Sequence, residues 1–336
     1  MRSNSETMPK ISVLVPIFNV EKYLREALDS LVQQTFQDFE VICINDGSTD
    51  HSLEIIQAYQ QQDSRFCILD KTNSGYGDSM NQGLKLARGE YIAILEPDDW
   101  IKNDAFEVLY HTAKKNDADV VKANYYRMYT DPKTNQPQNT KVSEITKTTI
   151  LDPHTDFTVF RLSPAIWSAI YKRTLLEQNQ ITFLPTPGAS YQDLGFQFKV
   201  FASAKKVVLL PSAFVHYRID NQNSSINNPG KVNCVIEEYN SIEHFLMSRG
   251  TFDLFARAMS AAKFRNYHWN FQRLHRNLAK QFYQNWHQAM LVAKQQGFLQ
   301  KSDFSRSHWL ALQGLIHFPK LTYYTLRLRC AFHRVR

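Results

Sequence analysis

The first hundred residues repeat one pattern four times. A short β-branched apolar run is followed by a polar or acidic loop and then by a helix-forming stretch. The runs are Lys10–Pro16, Phe39–Asn45, Phe66–Asp70 and Tyr91–Leu95. Leu24, Leu28 and Leu31 mark the helix after the first, and Leu53, Ile56 and Tyr59 the helix after the second. A loop carrying Asn73, Gly75 and Gly77 leads into a third helix that Gly89 ends. Strands alternating with helices of this length predict an α/β fold, a mostly parallel, doubly wound sheet with its loops gathered at the strand carboxyl ends. Ligand chemistry is therefore expected on Pro16–Asn19, Asp46–Asp50, Asn73–Gly77 and Glu96–Asp99.

The fourth run ends in Glu96-Pro97-Asp98-Asp99. A cap for the helix that begins near Asn103 needs one oxygen, and three acids around a proline exceed that. Carboxylates this close repel one another unless a cation or an array of donors compensates. An all-oxygen donor set suits a hard cation, magnesium, manganese or calcium, shared with a phosphate-bearing substrate. The first strand runs into Pro16-Ile17-Phe18-Asn19, with neither GxGxxG nor GxxxxGK[ST] anywhere, which argues against dinucleotide and P-loop chemistry. Phe18 offers a face for a base. Asp46 could accept a hydrogen bond from an imide N–H, a pairing that favours uracil, or serve only as a turn residue before Gly47.

Further along, Phe106, Leu109 and Ala113 mark a helix, and Asp119–Tyr125 a strand. Thr130–Thr149 is a polar excursion, expected to be an exposed insertion or loop. Order returns over Phe157–Lys172, with Trp167 and Tyr171 as core anchors. Asp193 follows the Pro/Gly loop Leu184–Ser190. It reads either as an acid favourable to a helix start or as a carboxylate presented as a general base. Val207–Leu210 and Ala213–Arg218 read as two strands. His216 on the second is either a structural histidine or a metal ligand. Asp220–Gly230, rich in Asn and Ser, suits a lid over phosphates, and from Val232 the pattern is helical.

Residues 1–230 are thus expected to form an α/β domain, with a nucleotide-binding half at 10–125 and an acceptor half at 150–230. Residues 231–336 form a helical region with a basic tail. Of the formal +7 charge much sits at the end: after Asp303 no acid occurs, while Arg306, Lys320, Arg327, Arg329, Arg334 and Arg336 do. That tail, with its aromatic and Leu-bearing turns, fits either peripheral docking on an anionic membrane surface or a solvated end or oligomer contact. It contains no recognised nucleic-acid module. The four cysteines lack CxxC spacing and read as reduced thiols of a cytoplasmic protein. No secretory signal or membrane-spanning apolar run is evident.

The opening ISVLVPIFNVEKYLREALDSLVQQTFQDFEVICINDGSTD and the EPDDW stretch resemble the family 2 glycosyltransferases of the GT-A fold, over about residues 10–225. The resemblance implies that Pro16, Phe18 and Asp46 hold the uridine of a UDP-sugar donor, with Asn19 beside them and Asn73 and Gly75 lining the same pocket. It implies Glu96 facing the ribose, Asp98 on a manganese or magnesium ion bound to the diphosphate, and Asp99 alongside. Ser190-Tyr191-Gln192-Asp193 is similar to the family's paired-acid motif, whose Asp is the catalytic base. His216 sits where relatives supply a further metal ligand, and Arg218 with Ser224 and Ser225 would meet the phosphates. Glu96 replaces the usual first Asp and Gln192 the more common Glu. The activity implied is inverting transfer to an acceptor hydroxyl, on a glycan or lipid-linked glycan, in capsule, exopolysaccharide or wall-polymer synthesis. A nucleotide-sugar-binding scaffold without turnover is the alternative. A sugar nucleotidyltransferase is disfavoured because it needs a Gly-rich basic loop after the first strand.

Overall fold

A computed structural model of the chain describes residues 8–131, 136–186, 188, 191–221, 233–274 and 276–333. They divide into two compact units, residues 1–156 with 162–224, and residues 157–161 with 225–336.

The first unit opens with β1 (Ile11–Ile17), α1 (Glu21–Val32), β2 (Phe39–Asp46), α2 (Ser52–Gln62), β3 (Phe66–Lys71), α3 (Tyr76–Leu86) and β4 (Tyr91–Ile94). It continues with β5 (Trp100–Ile101), α4 (Ala105–Asn116), β6 (Val120–Thr130), β7 (Pro137–Val142), β8 (Thr149–Leu151), β9 (Ala169–Lys172), α5 (Arg173–Gln178), α6 (Gln192–Ser203) and β10 (Val207–Arg218). The strands form one sheet in the order β3-β2-β1-β4-β9-β6-β10-β5, with β7 on β6 and β8 on β10.

Every residue of β1 and β2 is buried, which explains why these runs are continuously apolar and do not alternate: both faces of the sheet are covered. Ile11, Val13, Val15 and Ile17 share a core with Leu24, Leu28 and Leu31 of α1. Each of those leucines, fully buried, contributes roughly 1.5–3 kcal/mol. On α3, a side chain at Gly83 would come within 2.5 Å of Ile44 Cδ1, so this helix approaches β2 closely.

The pairings β3-β2-β1-β4 and β6-β10 are parallel, as the alternation predicts. The sheet as a whole is mixed, because β9 inserts antiparallel between β4 and β6 and because β5, β7 and β8 also pair antiparallel. Two local expectations are corrected. The polar excursion at 130–149 contains an edge strand, β7, whose side chains are almost all exposed and so carry no apolar period. Pro137 is its first residue, where a missing N–H is tolerated. The two strands expected at 207–218 are one, interrupted by register shifts between Leu210 and Val215.

The second unit contains the 3₁₀ turn Phe157–Arg161 and the helices α7 (Cys234–Ser248), α8 (Phe252–Arg273), α9 (Arg276–Gln295), α10 (Arg306–His317) and α11 (Pro319–His333). The turn is held to α8, where Phe160 packs on Phe255 with ring centroids 5.5 Å apart and its carbonyl accepts from Arg265 at 2.6 Å. The centre of the unit is aromatic: Phe264, Phe271, Phe282 and Trp286 are fully buried. Among the described residues no helix is long and apolar enough to cross a membrane.

Candidate active site

The loops after β1, β2 and β3 are fastened to one another at the strand carboxyl ends. Asn19, in a left-handed conformation, accepts from Thr49 N on its Oδ1 at 2.8 Å and donates its own N–H to Ser48 Oγ at 3.2 Å. Asp46, the last residue of β2, accepts Ser74 N–H on Oδ1 at 2.8 Å and Gly75 N–H on Oδ2 at 2.9 Å, and it also pairs with Lys71. Gly75 has φ +92, and a side chain there would strike Gly188 N at 2.8 Å, so glycine is required twice over. Phe18, the residue after β1, is 49% exposed. Pro16 is buried within β1, in register with Ile44, and Asn73 is exposed.

The acids after β4 face different partners. Tyr76 donates its hydroxyl to Glu96 at 2.8 Å. Burial pushes the Glu96 carboxyl up to about 8, against that hydrogen bond and with the charges of Asp98 and Asp193 adding to the rise. Asp99 is buried and accepts the N–H of Arg218 at 2.8 Å on Oδ1, while its Oδ2 has no hydrogen-bond partner. Burial, then the charge of Asp98, holds the Asp99 carboxyl well above the ordinary range. Asp98 accepts from Asn221 Nδ2 at 2.8 Å, and its carbonyl accepts from Arg218 Nε at 3.0 Å.

Asp193 lies in the first turn of α6, after Tyr191 in a left-handed conformation. Its Oδ1 accepts the N–H of Leu194 at 2.8 Å. Burial raises its carboxyl to about 6, and the Leu194 N–H and the charge of Lys122 pull the other way. Lys122, 2% exposed near the start of β6, donates to Ala165 O at 2.7 Å and to Ser168 Oγ at 3.0 Å. Its ammonium is lowered to about 7 by burial.

A row of rings fixes these acids relative to each other. Tyr76 meets Phe183 edge-on at 5.9 Å, Phe183 stacks on Phe196 of α6 at 4.2 Å, and Phe196 meets Tyr171 of β9 at 5.3 Å. Alongside, Asn81 of α3 donates to Phe183 O at 2.9 Å and accepts from Phe183 N at 2.8 Å. Gln192 Nε2 donates to Thr186 Oγ1 at 2.8 Å and Gly188 O at 3.1 Å. Glu96, through Tyr76, and Asp193, through α6, are thus tied into one packed assembly.

Two expected residues have partners that the sequence did not show. The ring of His216 is stacked between Trp100, at 3.5 Å, and Tyr126, at 4.6 Å, with Nδ1 on Asn139 Oδ1 at 2.8 Å. Burial lowers it to about 4, so it is neutral at physiological pH. The Arg218 guanidinium pairs with Glu26 at 2.6 Å and lies over the Tyr23 ring at 4.6 Å, which makes it a brace for the acidic loop. Ser224 and Ser225 lie outside the described residues. No group of three metal-ligating side chains forms among the described residues. Sequence reading missed Tyr76, Asn81 and Lys122. Of these, only Lys122 left a signal, as a lone cation inside an apolar strand.

Residues 12–178 match Glycosyl transferase family 2. The chain carries a family 2 glycosyltransferase domain. EpsJ of Bacillus subtilis, an uncharacterized glycosyltransferase, is 31% identical over 225 residues, 67% of this chain and 65% of EpsJ. TarS of Staphylococcus aureus, a poly(ribitol-phosphate) beta-N-acetylglucosaminyltransferase, is 30% identical over 213 residues, 62% of this chain and 35% of TarS. The chain therefore spans less than two thirds of the length of these relatives. The crystal structure of S. aureus TarS 1–349 in complex with UDP-GlcNAc superposes with a TM-score of 0.56 at 22% identity, covering 80% of this chain and 82% of that one. The family 2 domain thus has the expected GT-A fold.

Proposed function

We propose that the chain is an inverting glycosyltransferase that moves a sugar from a UDP-sugar to a hydroxyl of a glycan or lipid-linked glycan, in the synthesis of a cell-surface polymer at the cytoplasmic face of the membrane. The observation that carries this reading is the double attachment of Gly75 and Tyr76. Gly75 ties the uridine-side Asp46 to the head of α3, and Tyr76 next to it ties α3 to Glu96 and, through N–H to Gly188 O at 3.3 Å, to the loop before Asp193. TarS, named a poly(ribitol-phosphate) beta-N-acetylglucosaminyltransferase and crystallised with UDP-GlcNAc, supports the donor class and the setting.

Asp193, raised to about 6 yet mostly ionised at neutral pH, suits removal of a proton from an acceptor hydroxyl, which then attacks the anomeric carbon from the face opposite the nucleotide. Phe18 stacks on the base. A carboxylate has about four lone-pair sites, and Asp46 uses three, so one remains for an imide N–H. Glu96 meets the ribose, and Arg218, through its hydrogen bond to the Asp98 carbonyl, braces the acidic loop beside the diphosphate. The acidic loop suits a divalent ion: its donors are hard oxygens, Asp99 Oδ2 is buried without a hydrogen-bond partner, and the charge of Asp98 raises both Glu96 and Asp99. Asp98 with Asp99 would hold a magnesium or manganese ion, for which one or two carboxylates suffice, and the ion would supply positive charge at the diphosphate. His216 would reach such an ion only through Nε2, which has no hydrogen-bond partner. Asp193→Asn tests the reading: UDP binding should persist while UDP-sugar hydrolysis and transfer fall by about 10²–10⁴. Undiminished turnover in this variant would remove the assignment.

A further inference from the structure

We propose that the α10–α11 helix pair is a docking face for an anionic lipid bilayer. Leu310, Phe318, Leu321, Tyr324 and Leu328 are each between 61% and 66% exposed. On α11, Leu321, Tyr324 and Leu328 fall at i, i+3 and i+7 and so share one face, with Phe318 leading into it. The pair already has an inward side: Leu312, Leu315 and Ile316 of α10 and Thr322 and Leu326 of α11 are buried. The exposed stripe is additional to that core. Single exposed apolar residues are ordinary, whereas Leu321, Tyr324 and Leu328 along one face of α11, with Phe318 leading into it, mark a surface that is covered in use.

The charge of the segment selects what covers it. Arg306 and Lys320 are exposed and free to meet anionic headgroups, whereas Arg327 donates to Leu274 O at 3.0 Å, which ties its guanidinium to the end of α8. The sequence continues through Arg329, Arg334 and Arg336, with no acid after Asp303. A second copy docking through the same face would bring two acid-free, cationic segments together. An anionic bilayer accepts both features at once: the apolar stripe enters the acyl boundary and the bases meet phosphate-bearing headgroups.

The test is co-sedimentation of the full chain with vesicles of one part phosphatidylglycerol to two parts phosphatidylcholine, against vesicles of phosphatidylcholine alone, with no donor or acceptor present. The wild-type chain should bind the anionic vesicles at least about tenfold more strongly, and a Leu321→Glu, Leu328→Glu double variant should lose that binding by a similar factor. The variant should keep the wild-type melting temperature and the wild-type rate of UDP-sugar hydrolysis without lipid. Equal binding to both vesicle types, unimpaired binding by the variant, or a lipid-free dimer in light scattering that the variant dissociates would overturn the proposal. Because no sugar transfer is read in the vesicle arm, failure of the glycosyltransferase reading would leave this result intact.

Discussion

Asp193 and Lys122 form the pair on which the pH behaviour depends. Deprotonation of Asp193 is needed for it to act as a base, and its carboxyl sits at about 6, so kcat/KM should rise with pH through an acid limb near that value. The positive charge of Lys122 lowers that carboxyl. Lys122→Met should therefore move the acid limb to higher pH while wild-type UDP affinity is kept, a shift read directly from the pH–rate profile. An unmoved limb would separate Lys122 from the base. At this scale the sequence was informative wherever a residue broke its own local pattern. Glu96, Asp98 and Asp99 end an apolar strand, and Asp46 precedes a glycine turn. Tyr76 and Asn81 broke no pattern, because their partners, Glu96 and Phe183, lie 20 and 102 residues away and are neighbours only after folding.

Among the elements, α3 has the most to hold in place. Its first turn lies against the loop before Asp193 so closely that a side chain at Gly77 would sit 2.1 Å from Leu184 O. Gly77→Ala must push that backbone aside, and by overpacking it should cost about 1–3 kcal/mol in chemical denaturation, with transfer reduced further than UDP binding. Asn81→Ala leaves both backbone groups of Phe183 without their side-chain partner and should cost about 1–3 kcal/mol. The βα alternation that placed α3 was legible because parallel strands buried on both faces must read as unbroken apolar runs. β7 was not, since an exposed edge strand needs no apolar face. β10 read as two strands because its register shifts interrupt the pattern at Pro211 and Ser212.

For the whole molecule, the family 2 domain and the GT-A fold expected from the first hundred residues agree with the comparisons, and the helical end was legible from its period alone. What the helical unit takes from the earlier chain, the turn Phe157–Arg161, was not, because five residues are too few to show a period. The proposed function rests on a nucleotide diphosphate held through a divalent ion at the acidic loop. Calorimetric titration of UDP in manganese, repeated with excess chelator and with Asp98→Ala, tests this most directly. The prediction is saturable binding by the wild-type chain, weakened at least about tenfold, equivalent to ~1.4 kcal/mol, by the chelator and by the substitution alike. UDP affinity that neither the chelator nor the loss of Asp98 alters would contradict it.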